Sequence, residues 1–392
     1  MRLRFPEAGQ ETAKVVDQLE AMKTGDADWQ GGRVPLFVFK GSDAATEISR
    51  QAFDLYFAEN ALGRARAFTS LQRMEDEIVA MALDLFHAPD DAAGFVTTGG
   101  SESIIQAMQT CRDYNRAVRQ NDRHRGNIVI PASGHPAFDK GARLMDLEVR
   151  RIPVSGDYTG DVAAMEAAID QDTIMLVGSA PCFPFGVFDP IEELSEMALR
   201  RGVWLHVDAC VGGYLAPFVA ASGRAIPPFD LAIEGVCSMS ADLHKFGYAP
   251  KPISTVFYRS CDHARYHGFE FHDWPNGRFA TTTIVGTRAG GAIAGAWALF
   301  QHLGRMDRNV RTRQPGALFM RTSIDRIVDK VGTDAAIVQQ GIALGWCAVT
   351  DDRLASRFCF NQEAKQGAFD LVDLGGKSLI GLKRLQPSLL FD

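Results

Sequence analysis

The distribution of apolar residues along the chain predicts alternating helices and strands from about residue 70 onward. Residues 70–87 place apolar side chains three and four positions apart, the spacing of a helix with one buried face. Short apolar runs predict buried strands at 127–131 (NIVIP), 148–154, 173–178 (TIMLVG) and 203–207 (VWLHV). The amphipathic stretches around these strands predict four more helices, at 101–119, 137–147, 161–170 and 190–201.

Alternating strands and helices predict βαβ units, and therefore an α/β fold whose mostly parallel sheet is covered by helices on both faces. Ligands of such sheets bind beyond the carboxyl ends of the strands. Polar residues follow several of the predicted strands, so we expect the chemistry at that edge. The pattern weakens after residue 303, which predicts an N-terminal arm at 1–62, a large domain at 63–305 and a small domain at 306–392.

Composition favours an ordinary globular protein, since 46% of the 392 residues are hydrophobic and 23% are charged. A net charge of -7 argues against a nucleic-acid binder, which needs a basic face. The seven cysteines are scattered and never form a CxxC pair, which predicts reduced thiols rather than a disulfide framework or a metal site. We find no signal-peptide core and no apolar run of about 18 residues, so we expect a cytoplasmic protein without a transmembrane segment.

A lysine with an unusual setting follows the apolar stretch at 231–236, in the segment 238–251 (SMSADLHKFGYAPK). Lys245 lies between His244 and Phe246. Burial or a nearby charge can shift the pKa of a lysine and make it a useful nucleophile. Read alone, the segment is equally compatible with a surface lysine that follows a strand.

A glycine-rich segment at 97–103 (TTGGSES) precedes the predicted helix at 101–119. Glycines allow a ligand to approach the backbone closely, and the first turn of a helix offers free N–H groups to an anion. Glu102 would then have to point away from a bound phosphate. The alternative is a plain glycine turn with a helix cap, in which Ser103 and Gln106 have capping-box spacing.

Two further polar residues follow predicted strands. Asp208 ends the VWLHV strand, where a carboxylate could hold a proton on a buried ring nitrogen, or could only cap the next loop. His135 follows the NIVIP strand and could present a flat face to an aromatic cofactor, or could be an ordinary hydrogen-bonded core histidine. An anion loop, a stacking histidine, an aspartate and a lysine at successive strand ends are the parts that pyridoxal 5′-phosphate (PLP) requires.

These segments resemble the sphingosine-1-phosphate lyases, which are fold-type I PLP enzymes related to the amino-acid decarboxylases. The matching stretches keep the family's order over about residues 60–300: VTTGGSESI, GHPAFDKGA, FPFGVFDP, LHVDACVGG, SMSADLHKFGYAPK and TIVGTRAGG. The resemblance implies a large, mostly parallel seven-stranded sheet domain and a small, abbreviated C-terminal domain. It also implies a homodimer whose active sites are shared between subunits.

The resemblance assigns catalytic roles to three residues: Lys245 forms the Schiff base, Asp208 pairs with the pyridine nitrogen and His135 stacks on the ring. It implies a larger set of cofactor contacts, which adds Gly99, Gly100, Ser101, Ala209, Ser240, His244 and Thr287. It implies a substrate set of Lys251, Phe183 and Thr287, with Thr287 reaching the phosphate region from the other subunit. It implies no metal.

The sequence departs from the family in its substrate machinery. Gly63 stands where the family has a histidine that serves the substrate's phosphate, and Phe37 and Phe39 occupy the stretch where a tyrosine is expected. The leading prediction is a carbon–carbon lyase that cleaves a phosphorylated amino alcohol to an aldehyde and phosphoethanolamine. The alternatives are a PLP-dependent amino-acid decarboxylase and a catalytically silent PLP-binding subunit. In each case the partner is a small amine or amino acid.

Overall fold

The computed structural model describes residues 4–30 and 37–304, together with three short strands closer to the C-terminus. These are β10 (Phe358–Phe360), β11 (Leu371–Asp373) and β12 (Ser378–Ile380), which form a small antiparallel sheet. Apart from these strands, the predicted small domain at 306–392 lies outside the described residues. The predicted boundaries at 62 and 305 therefore stay a prediction.

A seven-stranded sheet in the order β1-β7-β6-β5-β4-β2-β3 organises the large domain. Its strands are β1 (Ala93–Thr97), β2 (Asn127–Pro131), β3 (Glu148–Ile152), β4 (Thr173–Ser179), β5 (Trp204–Asp208), β6 (Val236–Ala241) and β7 (Ser254–Tyr258). Strands β3, β2, β4, β5 and β6 are parallel in that order, whereas β7 runs antiparallel to both β6 and β1. The predicted mostly parallel seven-stranded sheet is confirmed. Strands β8 (Phe269–Phe271) and β9 (Phe279–Thr281) form a separate hairpin.

Helices surround this sheet, and the five that were predicted begin and end within a few residues of the expected positions. The described helices are α1 (Thr12–Met22), α2 (Asp43–Leu55), α3 (Thr69–Leu85), α4 (Gly100–Val118), α5 (Ala137–Met145), α6 (Val162–Ala167), α7 (Ile191–Arg201), α8 (Ala216–Ala221), α9 (Cys261–Ala264) and α10 (Gly290–Leu303). Helix α7 shows why the boundaries could be predicted. It starts after Pro190 and stops at Gly202, which adopts the left-handed conformation at φ 62°.

The core lies on both faces of the sheet because successive strand residues point to opposite sides. In β2, Val129 packs into one apolar cluster, while Ile128 and Ile130 pack into the other. In β5, Leu205 and Val207 join the first cluster. Both faces are therefore buried, and the polar strand ends are left as the accessible edge.

Strand β6 differs from the apolar run that was expected at 231–236, since it spans Val236–Ala241 and contains Ser238 and Ser240. Both serines are fully buried. They are accommodated because Ser238 bonds to Trp204 and His206, while Ser240 bonds to His206 and Asp208. A buried strand with alternating serines does not have the pattern of a continuous apolar run.

Within the described ranges, none of the helices is both long enough and apolar enough to cross a bilayer.

Candidate active site

A cavity of about 210 Å³ opens where β1, β2, β5 and β6 end at the same edge of the sheet. Seven predicted site residues line it: Gly100, Ser101, His135, Phe183, Asp208, His244 and Lys245. Five residues that were not predicted complete the wall: Ile104, Pro181, Cys210, Val211 and Asp242. The cavity therefore gathers the lysine, the aspartate, the histidine and the glycine loop from four separate strand ends.

The glycine loop brings backbone close to the other walls of the cavity. Helix α4 begins at Gly100, and Gly99 is its extended N-terminal cap. A Cβ atom at Gly100 would lie only 2.7 Å from both carboxylate oxygens of Asp242 and 2.9 Å from the Cys210 sulfur. Only glycine fits this position, so the free N–H groups at the start of α4 remain open to an anion beside Ser101.

Glu102 points away from the cavity, as an anion-binding loop requires. Its Oε2 accepts hydrogen bonds from the amide of Thr98 at 2.6 Å and from the Thr98 hydroxyl at 2.7 Å. Its Oε1 accepts a bond from the amide of Ile284 at 2.7 Å. Ser103 also faces inward and bonds to Thr97 at 2.7 Å, so the capping-box alternative with Gln106 is not what this helix adopts.

Asp208 is almost fully buried at the end of β5, and its carboxylate reaches the cavity. Its Oδ1 accepts from the amide of Cys210 at 3.1 Å and from the hydroxyl of Ser240 at 3.4 Å. Beneath it lies His206, whose Nε2 is 3.3 Å from the same hydroxyl. Burial lowers the pKa of His206 to about 4, so this ring is neutral at pH 7. The charge available below the cavity is therefore that of Asp208.

Lys245 lies 3.0 Å from Asp242, measured from Nζ to Oδ2. Burial alone would lower the pKa of the Lys245 ammonium, but the Asp242 carboxylate outweighs it and raises that pKa above its ordinary value. Burial likewise works to raise the pKa of Asp242, and the ammonium holds it below the ordinary value. The two groups therefore form a buried ion pair, which lies next to Gly100.

His135 follows β2 and lines the same cavity as the ion pair. Its Nδ1 accepts a hydrogen bond from the amide of Ala137 at 3.1 Å, which fixes that nitrogen as unprotonated. Burial lowers the pKa of His135, and the Asp208 carboxylate offsets this only in part. A neutral, oriented imidazole is suited to lie against an aromatic ring.

His244 connects this cavity to a second one of about 400 Å³, which Lys251 also lines. His244 lines both cavities, and its Nδ1 donates to the carbonyl of Ile253 at 2.6 Å. Lys251 lines only the second cavity, where its Nζ donates to the carbonyl of Phe37. The aromatic side chains of Phe39 and Phe53 also line it.

Four predicted site residues line neither of the two cavities. Ala209 and Ser240 are buried beneath the floor, and Gly99 caps helix α4. Thr287 is on the protein surface, where its hydroxyl is 3.4 Å from the amide nitrogen of Asn60. The described chain thus does not bring Thr287 into its own cavity.

Sequence reasoning missed Asp242 and Cys210, although both lay inside quoted motifs. The signal for Asp242 was its position three residues before Lys245, since a carboxylate at that spacing in a turn can reach the lysine. Cys210 gave no comparable signal. It is buried, and burial raises the pKa of its thiol well above the ordinary value, so it is neutral at pH 7.

Comparison with known proteins gives a consistent picture. Residues 65–270 match the family model described as the pyridoxal-dependent decarboxylase conserved domain. The chain is 39% identical over 298 residues to the sphingosine-1-phosphate lyase of Arabidopsis thaliana, a match that covers 74% of this chain and 54% of that protein. It is 38% identical over 326 residues to sphingosine-1-phosphate lyase 1 of Mus musculus, covering 82% and 57%. The chain spans about half the length of these curated relatives.

Solved structures agree with this likeness. A sphingosine-1-phosphate lyase of Burkholderia pseudomallei superposes with a TM-score of 0.73 at 35% identity, covering 80% of this chain and 73% of that one. A glutamate decarboxylase of Lactobacillus brevis superposes with a TM-score of 0.67 at 21% identity, covering 79% and 71%, which supports the fold alone.

Proposed function

The chain belongs to the sphingosine-1-phosphate lyase family of pyridoxal-dependent enzymes, and from this membership we propose that it cleaves a carbon–carbon bond in a phosphorylated amino alcohol. The products would be an aldehyde and phosphoethanolamine. The observation that carries the proposal is the cavity in which Lys245, Asp208 and His135 meet the glycine loop. Because the chain spans about half the length of its curated relatives, its activity, substrate and partners are all part of this proposal.

The residues of the cavity fit PLP, the cofactor of the family. Gly100 leaves open a space that a Cβ would fill, and the start of α4 can take a phosphate there with Ser101. Lys245 carries the amine to which the cofactor would attach, and Asp208 offers the buried carboxylate that a protonated ring nitrogen needs. The donor set therefore matches the phosphate, the aldehyde and the ring nitrogen of the cofactor.

Each of these side chains would have a separate task in catalysis. When bound, PLP supplies an electron sink that stabilises the negative charge left by bond cleavage. Asp208 would keep a proton on the ring nitrogen through its negative charge, held in place by the Cys210 amide and Ser240. His135 would restrict the ring to one plane. Lys245 would then hold and return a proton at Nζ while the substrate amine occupies its place.

The second cavity supports a phosphorylated substrate. Lys251 brings an ammonium group to a space that adjoins the first cavity through His244, and Phe39 and Phe53 give that space apolar walls. An ammonium group and apolar walls together suit a molecule with both an anionic and an apolar part. The hydrogen bond from Lys251 to the Phe37 carbonyl would have to be exchanged for a phosphate contact.

A second copy of the chain is the proposed partner. Thr287 lies beside the exposed apolar side chains of Leu62, Ile284 and Val285, and the site of a Cβ on Gly286 is 3.8 Å from Leu62. An exposed apolar patch of this kind is typical of a protein interface. Pairing across it would bury these side chains and would allow Thr287 to reach the partner's cavity.

Decarboxylation is the second candidate, because Gly63 removes a side chain that the family uses for the phosphate. A Cβ at Gly63 would lie 3.2 Å from the Phe68 ring, so the space is filled by that ring instead. In addition, the chain is 34% identical over 249 residues to a probable L-tyrosine/L-aspartate decarboxylase of Methanothermobacter thermautotrophicus. The catalytically silent subunit has no such support, since the cavity retains Lys245, Asp208 and His135.

The deciding experiment incubates the PLP-loaded protein with sphingosine-1-phosphate and, separately, with a panel of amino acids. Mass spectrometry then detects aldehyde with phosphoethanolamine, or amine with carbon dioxide. Aldehyde and phosphoethanolamine support the lyase. Formation of an amine from an amino acid supports the decarboxylase instead. A bound cofactor with no product from either kind of substrate supports the silent subunit.

A further inference from the structure

Asp242 is a buried acid to which neither the family resemblance nor the proposed chemistry assigns a role. It follows β6 with a side chain that is 2% exposed, and its Oδ2 lies 3.0 Å from Nζ of Lys245. The two residues belong to one tight turn, since the amide of Lys245 bonds to the carbonyl of Asp242 at 3.3 Å. Both the backbone and the ion pair therefore fix where the amine points.

The other oxygen of this carboxylate ends a chain of buried hydroxyl groups. Oδ1 accepts from the hydroxyl of Ser254, which in turn accepts from Ser103 at 3.2 Å, and Ser103 is 2.7 Å from Thr97. Hydroxyl donors aimed at a carboxylate stabilise its ionised form. This chain also connects the glycine loop to the lysine loop, so Asp242 is held from two sides.

The surroundings of the amine contain more negative than positive charge. Within the described ranges, the titratable groups that face Lys245 come from three places, the end of β5, the start of α5 and its own loop: Asp208, Cys210, His135, His244 and Asp242. Of these, His135 and Cys210 are neutral at pH 7, because burial lowers the pKa of the histidine and raises that of the thiol. The nearest charge is Asp242, and its contact with the amine is largely shielded from water.

We propose that Asp242 is a positioning residue that holds Lys245 as an ammonium group pointing into the cavity, and that it thereby sets the pH at which PLP is loaded. The inference rests on the cofactor site proposed above. In loading, a proton passes from the ammonium of Lys245 to solvent, and the freed lone pair attacks the aldehyde carbon of PLP. A carbon–nitrogen double bond would replace the carbon–oxygen double bond, and the aldehyde oxygen would leave as water with the two hydrogens that remain on the amine.

The ion pair also has a role before loading. The carboxylate of Asp242 lies next to Gly100, at the point where an anion would enter the start of α4. A bare negative charge there would repel a phosphate. Pairing with Lys245 neutralises it, so the cavity can accept the cofactor's phosphate while the amine is still protonated.

The test measures how the loading rate depends on pH. The 392-residue chain is purified with its cofactor, which is removed with hydroxylamine, and the absorbance is followed after PLP is added back. For the natural chain, the rate should rise about tenfold per pH unit from pH 7 to 9, because one proton must leave first. In Asp242→Asn burial still lowers the pKa of the ammonium but the opposing carboxylate is gone, so the rise should level off at a lower pH and the ratio of the rate at pH 9 to that at pH 7 should be smaller than in the natural chain. This ratio is insensitive to a general loss of positioning, which would lower both rates together.

Two control variants separate charge from structure. Ser254→Ala removes the hydroxyl bond but keeps both charges, so its ratio should equal that of the natural chain. Asp139→Asn removes an exposed ion pair with Arg151 and should leave the loading rates at both pH values unchanged. A natural-chain rate that is flat between pH 7 and 9 overturns the inference even if Asp242→Asn does not fold. An unchanged ratio in a folded Asp242→Asn overturns it equally. Absence of a pyridoxyl group on Lys245 after borohydride reduction would overturn the cofactor site, and this inference with it.

Discussion

The carboxylate of Glu102 accepts a hydrogen bond from the amide of Ile284 at 2.7 Å, across 182 residues of sequence. Its other oxygen binds the Thr98 amide at 2.6 Å, in the glycine loop. One side chain thus ties the loop proposed to hold the cofactor's phosphate to the segment that leads to Thr287. In the proposed dimer, this connects one subunit's phosphate loop to the partner's active site.

Replacing Glu102 with glutamine should weaken cofactor binding about tenfold. Glutamine has one acceptor and one donor, so either the Thr98 or the Ile284 amide would face an N–H group and lose its partner. An unpaired amide costs about 1 to 3 kcal/mol, and 1.4 kcal/mol corresponds to a factor of ten. Equilibrium dialysis of PLP measures the change in affinity. Glu166→Gln, which makes the same substitution at an exposed carboxylate, is the control. Equal PLP affinity in Glu102→Gln and the natural chain would show that the hydrogen bonds of Glu102 do not position the glycine loop for the cofactor.

PLP should attach to Lys245 alone. The amine lines the same cavity as Asp208 and His135, which Lys251 does not. Borohydride reduction followed by peptide mapping should therefore recover the pyridoxyl group on the peptide that contains Lys245. Lys245→Ala should give no labelled peptide, whereas Lys251→Ala should be labelled normally. Label on any other lysine would contradict the assignment.

The glycine loop and the site of Lys245 show what could and what could not be predicted from the sequence. Lys245, Asp208, His135 and the glycine loop were predictable because each follows a strand, and parallel strands place their carboxyl ends at one edge. Strands β2 to β5 were predicted as apolar runs, whereas β1 and β7 were not predicted, and the buried serines of β6 depend on His206 and Asp208 as distant partners. The tie from Glu102 to Ile284 and the position of Asp242 beside Gly100 could not be read from sequence, because both are contacts between segments remote along the chain.

Asp208→Asn should lower turnover by about two orders of magnitude or more while the protein still binds PLP, because a preorganised charge at the reacting centre is lost. Asparagine can keep the bond from the Cys210 amide but cannot hold a proton on the ring nitrogen by charge. Turnover is measured by product formation and cofactor content by absorbance. Ser240→Ala, which removes only one hydrogen bond to Asp208, should have a much smaller effect. Near-normal turnover in Asp208→Asn would mean that this carboxylate is structural.

Acid should destabilise the protein through His206. Burial lowers the pKa of this ring from 6.5 to about 4, so the unfolded chain binds a proton in this range while the folded chain does not. Its contribution to stability is therefore lost as the pH falls from 6.5 towards 4, at up to about 1.4 kcal/mol per pH unit. Urea unfolding at pH 7 and pH 5 should show that His206→Gln loses about 2 kcal/mol less on acidification than the natural chain. The same loss in both proteins would contradict a neutral buried ring.

Lys251→Ala should lower kcat/KM for a phosphorylated amine by about ten- to a hundredfold, since a charge-assisted hydrogen bond contributes about 1.5 to 3 kcal/mol. The matched control is Lys40→Ala. Lys40 lines the same second cavity, but its ammonium is already paired with Asp43 at 2.8 Å. Because the Asp43 carboxylate partly neutralises its charge, Lys40 should attract an anionic ligand less strongly than Lys251 does. Its kinetics should stay within about twofold of the natural chain. Attachment of PLP to Lys245 should be unchanged in both variants.

The identity of the substrate's anionic group follows from the comparison of these two lysines. If Lys251 binds the phosphate of the substrate, Lys251→Ala should leave the reaction of an unphosphorylated amine nearly unchanged, because the lost contact is made only with the phosphate. If it is only a surface charge bonded to Phe37, both lysine variants should behave alike on every substrate. That second result, together with faster consumption of unphosphorylated amino acids, would replace the lyase with the decarboxylase. The Gly63 departure would then be the change that accompanied the loss of phosphate recognition.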